Sequence, residues 1–260
     1  MDPLPAEREE TTMTAGWVPA APSSPPGIPF PHRSPDAALR RVWREVQPIV
    51  ASPAPGPRGW QAALKRMIDI VGAGLGLILL SPLFAVVAAV VRLESPGAAI
   101  FSQRRVGRGG RWFNILKFRT MVDDAEQRRE ELLSRSVYSD PRLFKVRDDP
   151  RLTRIGGFLR RSSLDELPQL VNVLRGEMSL VGPRPPLPSE VELYEDRHYG
   201  RFDVKPGITW LWQVSGRNDI TDFEQVVQLE IAYIHHWSLL LDIVILLRTI
   251  PAVFTCRGAH

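Results

Sequence analysis

The chain has 260 residues, a formal net charge of +4 and a sequence pI near 9.6. Its length allows one domain of ordinary size plus extra segments, and its basic balance favours anionic partners such as lipid headgroups, nucleotides or nucleic acid. A single cysteine, Cys256, excludes an intramolecular disulfide framework and a cysteine-based metal site.

Residues 1–58 hold 13 of the 24 prolines, set among Ser, Ala and Gly. That composition buries too little apolar surface to offset the entropy of folding, and it predicts a disordered Pro-rich arm. One helical island is predicted over 37–47, with Ser34 as cap and Pro35 at the first helical position; Pro48 ends it. The arm contains no catalytic constellation.

An uncharged run of 22 residues follows at 70–91, broken in its middle by Ser81-Pro82. As a helix rising about 1.5 Å per residue it would measure roughly 33 Å, enough to cross a bilayer. Pro82 removes a backbone donor and clashes with the preceding turn. The segment therefore either spans with a kink or enters the membrane and turns back. Arg58, Lys65 and Arg66 precede it, and Arg92, Arg104, Arg105, Arg108 and Arg111 follow it. Lys and Arg normally mark the cytoplasmic side, so a re-entrant helix-break-helix over 59–92 is the arrangement that keeps both flanks there. The Ser81 hydroxyl can satisfy a carbonyl that the proline frees. Trp60, Lys65 and Arg66 are interface anchors by type. The glycines at 72 and 74 do not open a dinucleotide-binding motif, because the third glycine position falls on Leu77. Close helix packing in the membrane accounts for them better.

From Ala99 the chain becomes soluble in character. Strand-like runs at 100–101 and 113–118 flank a basic turn at 107–110. Helices are predicted over 122–134, 153–160, 168–175 and 222–234, with Gly176 as a C-terminal stop. Residues 178–181 form a buried extended run closed by Gly182-Pro183. The apolar stretch 239–254 carries Asp242, Arg248 and Pro251, and reads as an interfacial helix rather than a second span. The predicted fold class is α+β and mainly helical. It is a membrane-associated monotopic domain with a re-entrant helix-break-helix, interfacial amphipathic helices and a small sheet, and 93–260 forms its soluble part.

The densest polar stretch beside apolar sequence runs from Arg160 to Gln169. Two adjacent carboxylates, Asp165 and Glu166, follow Arg160-Arg161 just ahead of a helix opening at Pro168. One reading is a capping box from Ser163 to Glu166, with Asp165 favouring the helix dipole. The other is a site that joins metal-binding carboxylates to a helix N-terminus suited to phosphate oxygens. Pro168 weakens the first, since a helix begun at Leu164 would need the amide that proline lacks. The residues alone leave both readings open.

Three further groups are candidates. Arg184 stands between Pro183 and Pro185-Pro186, which fix the backbone around one cation suited to clamping a phosphate; a rigid turn with a solvated arginine is the plainer alternative. Lys117 and Arg119 fall on one face of a strand by alternation. Gln103 and Arg105 stand just ahead of the glycine at Gly107. His235 and His236 are adjacent and cannot easily share a metal, and no zinc signature is present. No recognised motif or aromatic platform supports nucleic-acid binding.

Taken together, these stretches resemble the bacterial sugar transferase family, the monotopic phosphoglycosyl transferases. The matching landmarks begin with Lys65-Arg66, Asp69, Ser81-Pro82 and Phe101-x-Gln103-x-Arg105-Val106-Gly107. They continue through Lys117-Phe118-Arg119-Thr120-Met121, Asp149-Pro150-Arg151-Leu152-Thr153 and Leu159-Arg160. Ser163-Leu164-Asp165-Glu166-Leu167-Pro168-Gln169 and Asn172-Val173-Leu174 follow. Met178-Ser179-Leu180-Val181-Gly182-Pro183-Arg184-Pro185 and Lys205-Pro206-Gly207-Ile208-Thr209 complete the set, in the family's order over about residues 60–258.

The resemblance implies a reaction and its residues. Such enzymes transfer a sugar-1-phosphate from a UDP-sugar to undecaprenyl phosphate, releasing UMP, as the first membrane step of exopolysaccharide or O-antigen-type glycan assembly. Asp165 would attack the β-phosphorus to give a covalent phosphosugar-enzyme, and Glu166 would help hold Mg²⁺. Arg184, Lys117, Arg119, Arg105, Gln103 and Arg160 would bind phosphate and substrate. The expected partners are UDP-glucose or UDP-galactose, undecaprenyl phosphate and the lipid bilayer, with no nucleic acid. The sugar preference comes from the stretch 212–217. A homodimer is one open arrangement. The expected location is the bacterial inner membrane, with the catalytic domain on its cytoplasmic face. Two residues depart from the family pattern. Trp210 replaces a usual glycine, and with Trp212 it either deepens interfacial anchoring or reshapes the sugar pocket. Glu230 stands where an aspartate is common, which leaves its role open.

Overall fold

A computed structural model describes residues 56–138, 140–214 and 222–254. The arm before Gly56, its predicted island, Cys256 and residues 215–217 of the sugar-preference stretch lie outside them.

Helix α1 (Gly59–Leu79) and helix α2 (Ser81–Glu94) meet at a bend of 62°. Among the described residues no single helix is long and apolar enough to cross a membrane, but this bent pair passes together by length and composition. The cause of the break is local. Pro82 has no N–H to offer the Ile78 carbonyl one turn back. The Ser81 hydroxyl donates to that carbonyl instead, at 2.8 Å. One side of α1 exposes Met67, Ile70, Val71, Leu75, Ile78 and Leu79.

The other side of α1 faces the rest of the protein, and here two expectations are corrected. Of the glycines at 72 and 74, only Gly72 gives close packing, against Leu180 of the soluble part; a Cβ on Gly74 would meet open space, and Gly76 packs on Leu170 instead. Lys65 and Arg66 do not reach outward as interface anchors. The Arg66 guanidinium donates to the Val173 and Leu174 carbonyls at 2.7 and 2.9 Å, and the Lys65 ammonium meets Asp242. A helix C-terminus and a buried carboxylate offer these cations better partners than headgroups do, because the base of α1 packs directly on both. Trp60 remains exposed.

Strands β1 (Ile100–Val106) and β2 (Trp112–Phe118) form an antiparallel hairpin, longer than the two predicted runs, with Gln103 opposite Ile115 and Arg105 opposite Phe113. Gly109 and Gly110 turn the chain at φ of 63° and 74°, a region that side chains disfavour. The charged helix predicted over 122–134 is instead a set of turns leading into a 3₁₀ helix, Gln127–Arg135. Leu132 alone is buried in that helix, so no apolar stripe exists to hold an α-helix against a core.

Helix α3 (Arg154–Arg161) starts at Thr153, whose hydroxyl accepts from the Gly156 amide at 2.9 Å. A 3₁₀ turn, Leu164–Glu166, leads into α4 (Gln169–Arg175), which Gly176 ends in the left-handed conformation. Strand β3 (Ser179–Val181) pairs in parallel with β4 (Gly207–Thr209). Between them lie the short helix α5 (Pro188–Val191) and a 3₁₀ segment, Asp196–Asp203. Helices α6 (Leu211–Val214), α7 (Phe223–His235) and α8 (Leu239–Phe254) follow, with Asp222 capping α7.

The architecture is α+β and mainly helical, with two small two-stranded sheets in place of one. The largest core cluster joins Val181, Trp210, Leu229, Tyr233, Leu241 and Ile245. Trp210 is thus packed inside, which is against the first of its two readings, an interfacial anchor. A ring that replaces a glycine here finds its cheapest place against Trp212, 4.9 Å away between ring centres, and away from water.

Candidate active site

Three pieces of backbone bring the charged residues together. The first is the hairpin, where alternation and register put Gln103, Arg105 and Lys117 on one face. The second is the turn between α3 and α4. Ser163 holds φ of 57°, which costs a residue with a Cβ about 1–2 kcal/mol. Such strain persists only where its surroundings enforce it. The Ser163 side chain makes no capping bond, so the turn is not a capping box. It buries the Asp165 side chain and brings the Glu166 carboxylate 2.9 Å from the Lys117 ammonium.

Burial pushes the Asp165 carboxyl up to about 6, with Glu166 adding to the rise and Lys117 and Arg160 opposing it. A carboxylate that is ionised near neutral pH but poorly hydrated suits nucleophilic work. Arg160 extends from the end of α3, and its Nε–H donates to the Thr120 hydroxyl at 3.1 Å. Helix α3 lies close against that strand exit. A Cβ on Gly156 would collide with the Thr120 carbonyl.

The third piece is the loop after β3. The two Nη groups of Arg184 donate to the two carboxylate oxygens of Glu190, at 3.1 and 3.4 Å. The Arg184 side chain is 39% exposed and that of Glu190 is 4% exposed. Arg105 ties this loop to the hairpin. Its guanidinium donates to the Pro185 carbonyl and to the Gln103 amide oxygen. Arg105 is lowered to about 10, mainly by burial and then by Arg184, with Glu190 and Glu166 opposing the fall.

Of the residues expected from sequence, Asp165, Glu166, Lys117, Arg105, Gln103, Arg160 and Arg184 therefore converge. Arg119 does not join them. Alternation stops where β2 stops, at Phe118, and the Arg119 guanidinium turns to the carbonyls of Ser95, Pro96 and Val91 at the end of α2. Ser81 and Pro82 stand apart, at the bend. Among the described residues no group of three or more His, Cys, Asp and Glu side chains forms a cage for a metal. Mg²⁺ usually takes only one or two carboxylates together with substrate phosphates. Glu166, partly exposed beside Lys117, fits that donor set.

The sequence profile of the bacterial sugar transferases matches residues 60–256. The chain belongs to the bacterial sugar transferase family. Among its curated relatives is the galactosyl transferase CpsE of Streptococcus agalactiae, 49% identical over 195 residues, covering 75% of this chain and 43% of CpsE. The exopolysaccharide production protein ExoY of Rhizobium meliloti is 43% identical over 199 residues, covering 75% of this chain and 88% of ExoY. A UDP-glucose:undecaprenyl-phosphate glucose-1-phosphate transferase of Caulobacter vibrioides is 42% identical over 214 residues, covering 79% of this chain and 75% of that protein. The chain thus spans most of ExoY but less than half of CpsE.

Within this family member, several residues at the site had no local signal. Nothing in the sequence marks Ser163 as left-handed. Thr120 gains its part only because α3 packs on it. Glu190 did carry a signal, since Pro188 and Glu190 stand at the first and third positions of a short helix. Glu230, whose role the sequence left open, is buried beside Arg184.

Proposed function

We propose that this transferase moves a sugar-1-phosphate from UDP-glucose or UDP-galactose to undecaprenyl phosphate, in an exopolysaccharide or O-antigen-type pathway. The observation that carries this reading is the buried Asp165 carboxyl beside Lys117 and Glu166. An Asp165 oxygen attacks the β-phosphorus, and the bond from that phosphorus to the oxygen bridging the two phosphates breaks. UMP leaves with that oxygen, and the sugar phosphate stays on Asp165. An oxygen of the lipid phosphate then attacks the same phosphorus and returns the Asp165 carboxylate. Splitting one transfer between a soluble and a lipid substrate into two displacements makes ping-pong kinetics the expectation.

Lys117, Arg105 and Arg184 face the anionic reactants and offset the repulsion that a carboxylate nucleophile meets. Held with the help of Glu166, Mg²⁺ would supply further neutralisation of the diphosphate.

The bend at Ser81-Pro82 supports a re-entrant segment over 59–92 that keeps 93–260 on the cytoplasmic side of the inner membrane, where nucleotide sugars are. The exposed apolar residues Leu240, Ile243, Leu247 and Ile250 of α8 support contact with the bilayer surface.

The test is radiolabel transfer from a panel of UDP-sugars to undecaprenyl phosphate in vesicles. Without lipid acceptor, the wild type should release about one UMP per enzyme and retain the label covalently, as a ping-pong scheme requires. Asp165→Asn should do neither. Full turnover by Asp165→Asn overturns the reading, and so does continued UMP release without acceptor, which marks a phosphohydrolase.

A further inference from the structure

The backbone around Arg184 is tied down at every polar group. The Pro183 carbonyl accepts from the Gly207 amide at 2.9 Å, and the Arg184 carbonyl accepts from the Arg201 guanidinium at 3.3 Å. The Pro185 carbonyl accepts from Arg105 at 3.1 Å and the Pro186 carbonyl from the Val106 amide at 3.0 Å. Three of the loop's residues are prolines and have no amide to satisfy. The two amides that remain both go to buried carboxylates. Arg184 N–H donates to Glu230 at 3.1 Å, and Leu187 N–H donates to Glu190 at 2.9 Å.

Glu190 therefore has two jobs. One of its oxygens holds the Leu187 amide and an Arg184 Nη, and the other holds the second Nη. The pairing is a two-pronged one that fixes the plane of the guanidinium as well as its place. It leaves the Arg184 Nε–H and the outer hydrogens of both Nη groups for an incoming anion. Burial pushes the Glu190 carboxyl up, but the Arg184 and Arg105 guanidinium groups hold it below the ordinary carboxylate range, so it stays charged. Glu230 is held in turn by Arg201, 2.6 Å away, and Arg201 also bonds the Tyr194 hydroxyl.

We propose that Glu190 is a positioning residue, which holds the Arg184 guanidinium in the orientation that receives a diphosphate, on a loop that Glu230 pins through the Arg184 amide. The inference rests on the transfer reading above, since it takes the diphosphate of a nucleotide sugar as the anion. A carboxylate beside a phosphate-binding cation would ordinarily weaken anion binding. Here it also removes the freedom that the cation would otherwise lose on binding, and preorganised charge acts without reorganisation.

The test is a double-mutant cycle on the full chain in vesicles, with Glu190→Gln, Arg184→Ala and the pair, and Asp165→Asn run alongside. Glu190→Gln should lower kcat/KM for the UDP-sugar by about ten- to a hundredfold, the scale expected when a contacting group is misplaced by about 1 Å. In the Arg184→Ala background the same change should cost less than about twofold, because its effect passes through Arg184. Glu190→Asp should recover part of the loss. If Glu190→Gln does not fold, Glu190→Asp takes its place in the cycle. Equal losses with and without Arg184, or no loss at all, overturn the inference and leave the transfer reading standing. A wild type that does not transfer the sugar phosphate, or an Asp165→Asn enzyme that does, overturns the transfer reading. The same cycle read by equilibrium binding of UDP then decides the role of Glu190 without turnover.

Discussion

The Lys65 ammonium lies 2.6 Å from the Asp242 carboxylate, which fastens the base of α1 to α8 across 177 positions of chain. The same carboxylate accepts from the Tyr233 hydroxyl at 2.7 Å and the Trp237 indole at 3.1 Å. Lys65 also donates to the Val181 carbonyl, and one turn further on Asp69 accepts from the Ser179 hydroxyl and the Leu180 amide. Strand β3 leads directly into the Arg184 loop, so the bent helix pair and that loop share one anchorage.

Breaking that pair should be costly. The Lys65 and Asp242 side chains are 12% and 6% exposed, so removing one charge leaves the other buried without its partner. Asp242→Asn should lower stability by about 3–5 kcal/mol. Adding Lys65→Met should recover part of the loss, because no unpaired buried charge remains. Thermal unfolding of the detergent-solubilised full chain checks both values.

Asp165 should make the protein less stable as it ionises. Its carboxyl is raised to about 6 in the folded state, against about 3.9 in an unfolded chain. The stability it contributes is therefore present below about pH 4 and lost as pH rises through about 6. Asp165→Asn should exceed the wild type by something on the order of 3 kcal/mol at pH 8, with the difference vanishing near pH 4. Urea unfolding at the two pH values reads this. In the wild type, kcat/KM should rise through about pH 6 as Asp165 ionises, if it attacks as proposed.

The neighbouring glycines of α3 should respond in opposite directions. A Cβ on Gly156 meets the Thr120 backbone, whereas one on Gly157 meets only the Arg161 side chain at 3.5 Å, an ordinary contact. Gly156→Ala should cost about 1–3 kcal/mol and reduce activity by shifting Thr120 and Arg160. Gly157→Ala should add about 0.5–1 kcal/mol from helix propensity. Melting curves with a transfer assay separate the two.

Pro82→Leu restores the amide that the Ile78 carbonyl lacks and should straighten the bend. In the wild type, a tag at residue 1 should be cut by protease only from the cytoplasmic side. In Pro82→Leu a fraction of the tag should become accessible from the periplasmic side. A wild-type tag cut only from the periplasmic side would restore the straight span.

The parts of the fold set by neighbours in sequence were legible. The break at Ser81-Pro82, the helix predicted over 153–160 and found as Arg154–Arg161, and the stop at Gly176 depend on chemistry within a single turn, and the structure has all of them. The charged segment at 122–134 forms turns and a 3₁₀ helix in place of the predicted helix, because helix formers on an exposed stretch do not make an α-helix without a surface to pack on.

At the site the same division holds. Sequence by itself determined which ionisable groups are available: adjacent carboxylates at Asp165 and Glu166, cations two residues apart at Lys117 and Arg119, and one arginine locked between prolines. Tertiary structure decided what each does. It turned Arg119 away to the carbonyls of α2, sank Trp210 into the core, buried Asp165 until its carboxyl rose, and set Glu190 and Glu230 around Arg184. The physical reason is range. A cap, a turn or a proline break is fixed by atoms a few residues away, whereas burial and ion pairing depend on which distant surfaces pack together, and only the folded chain brings those surfaces into contact.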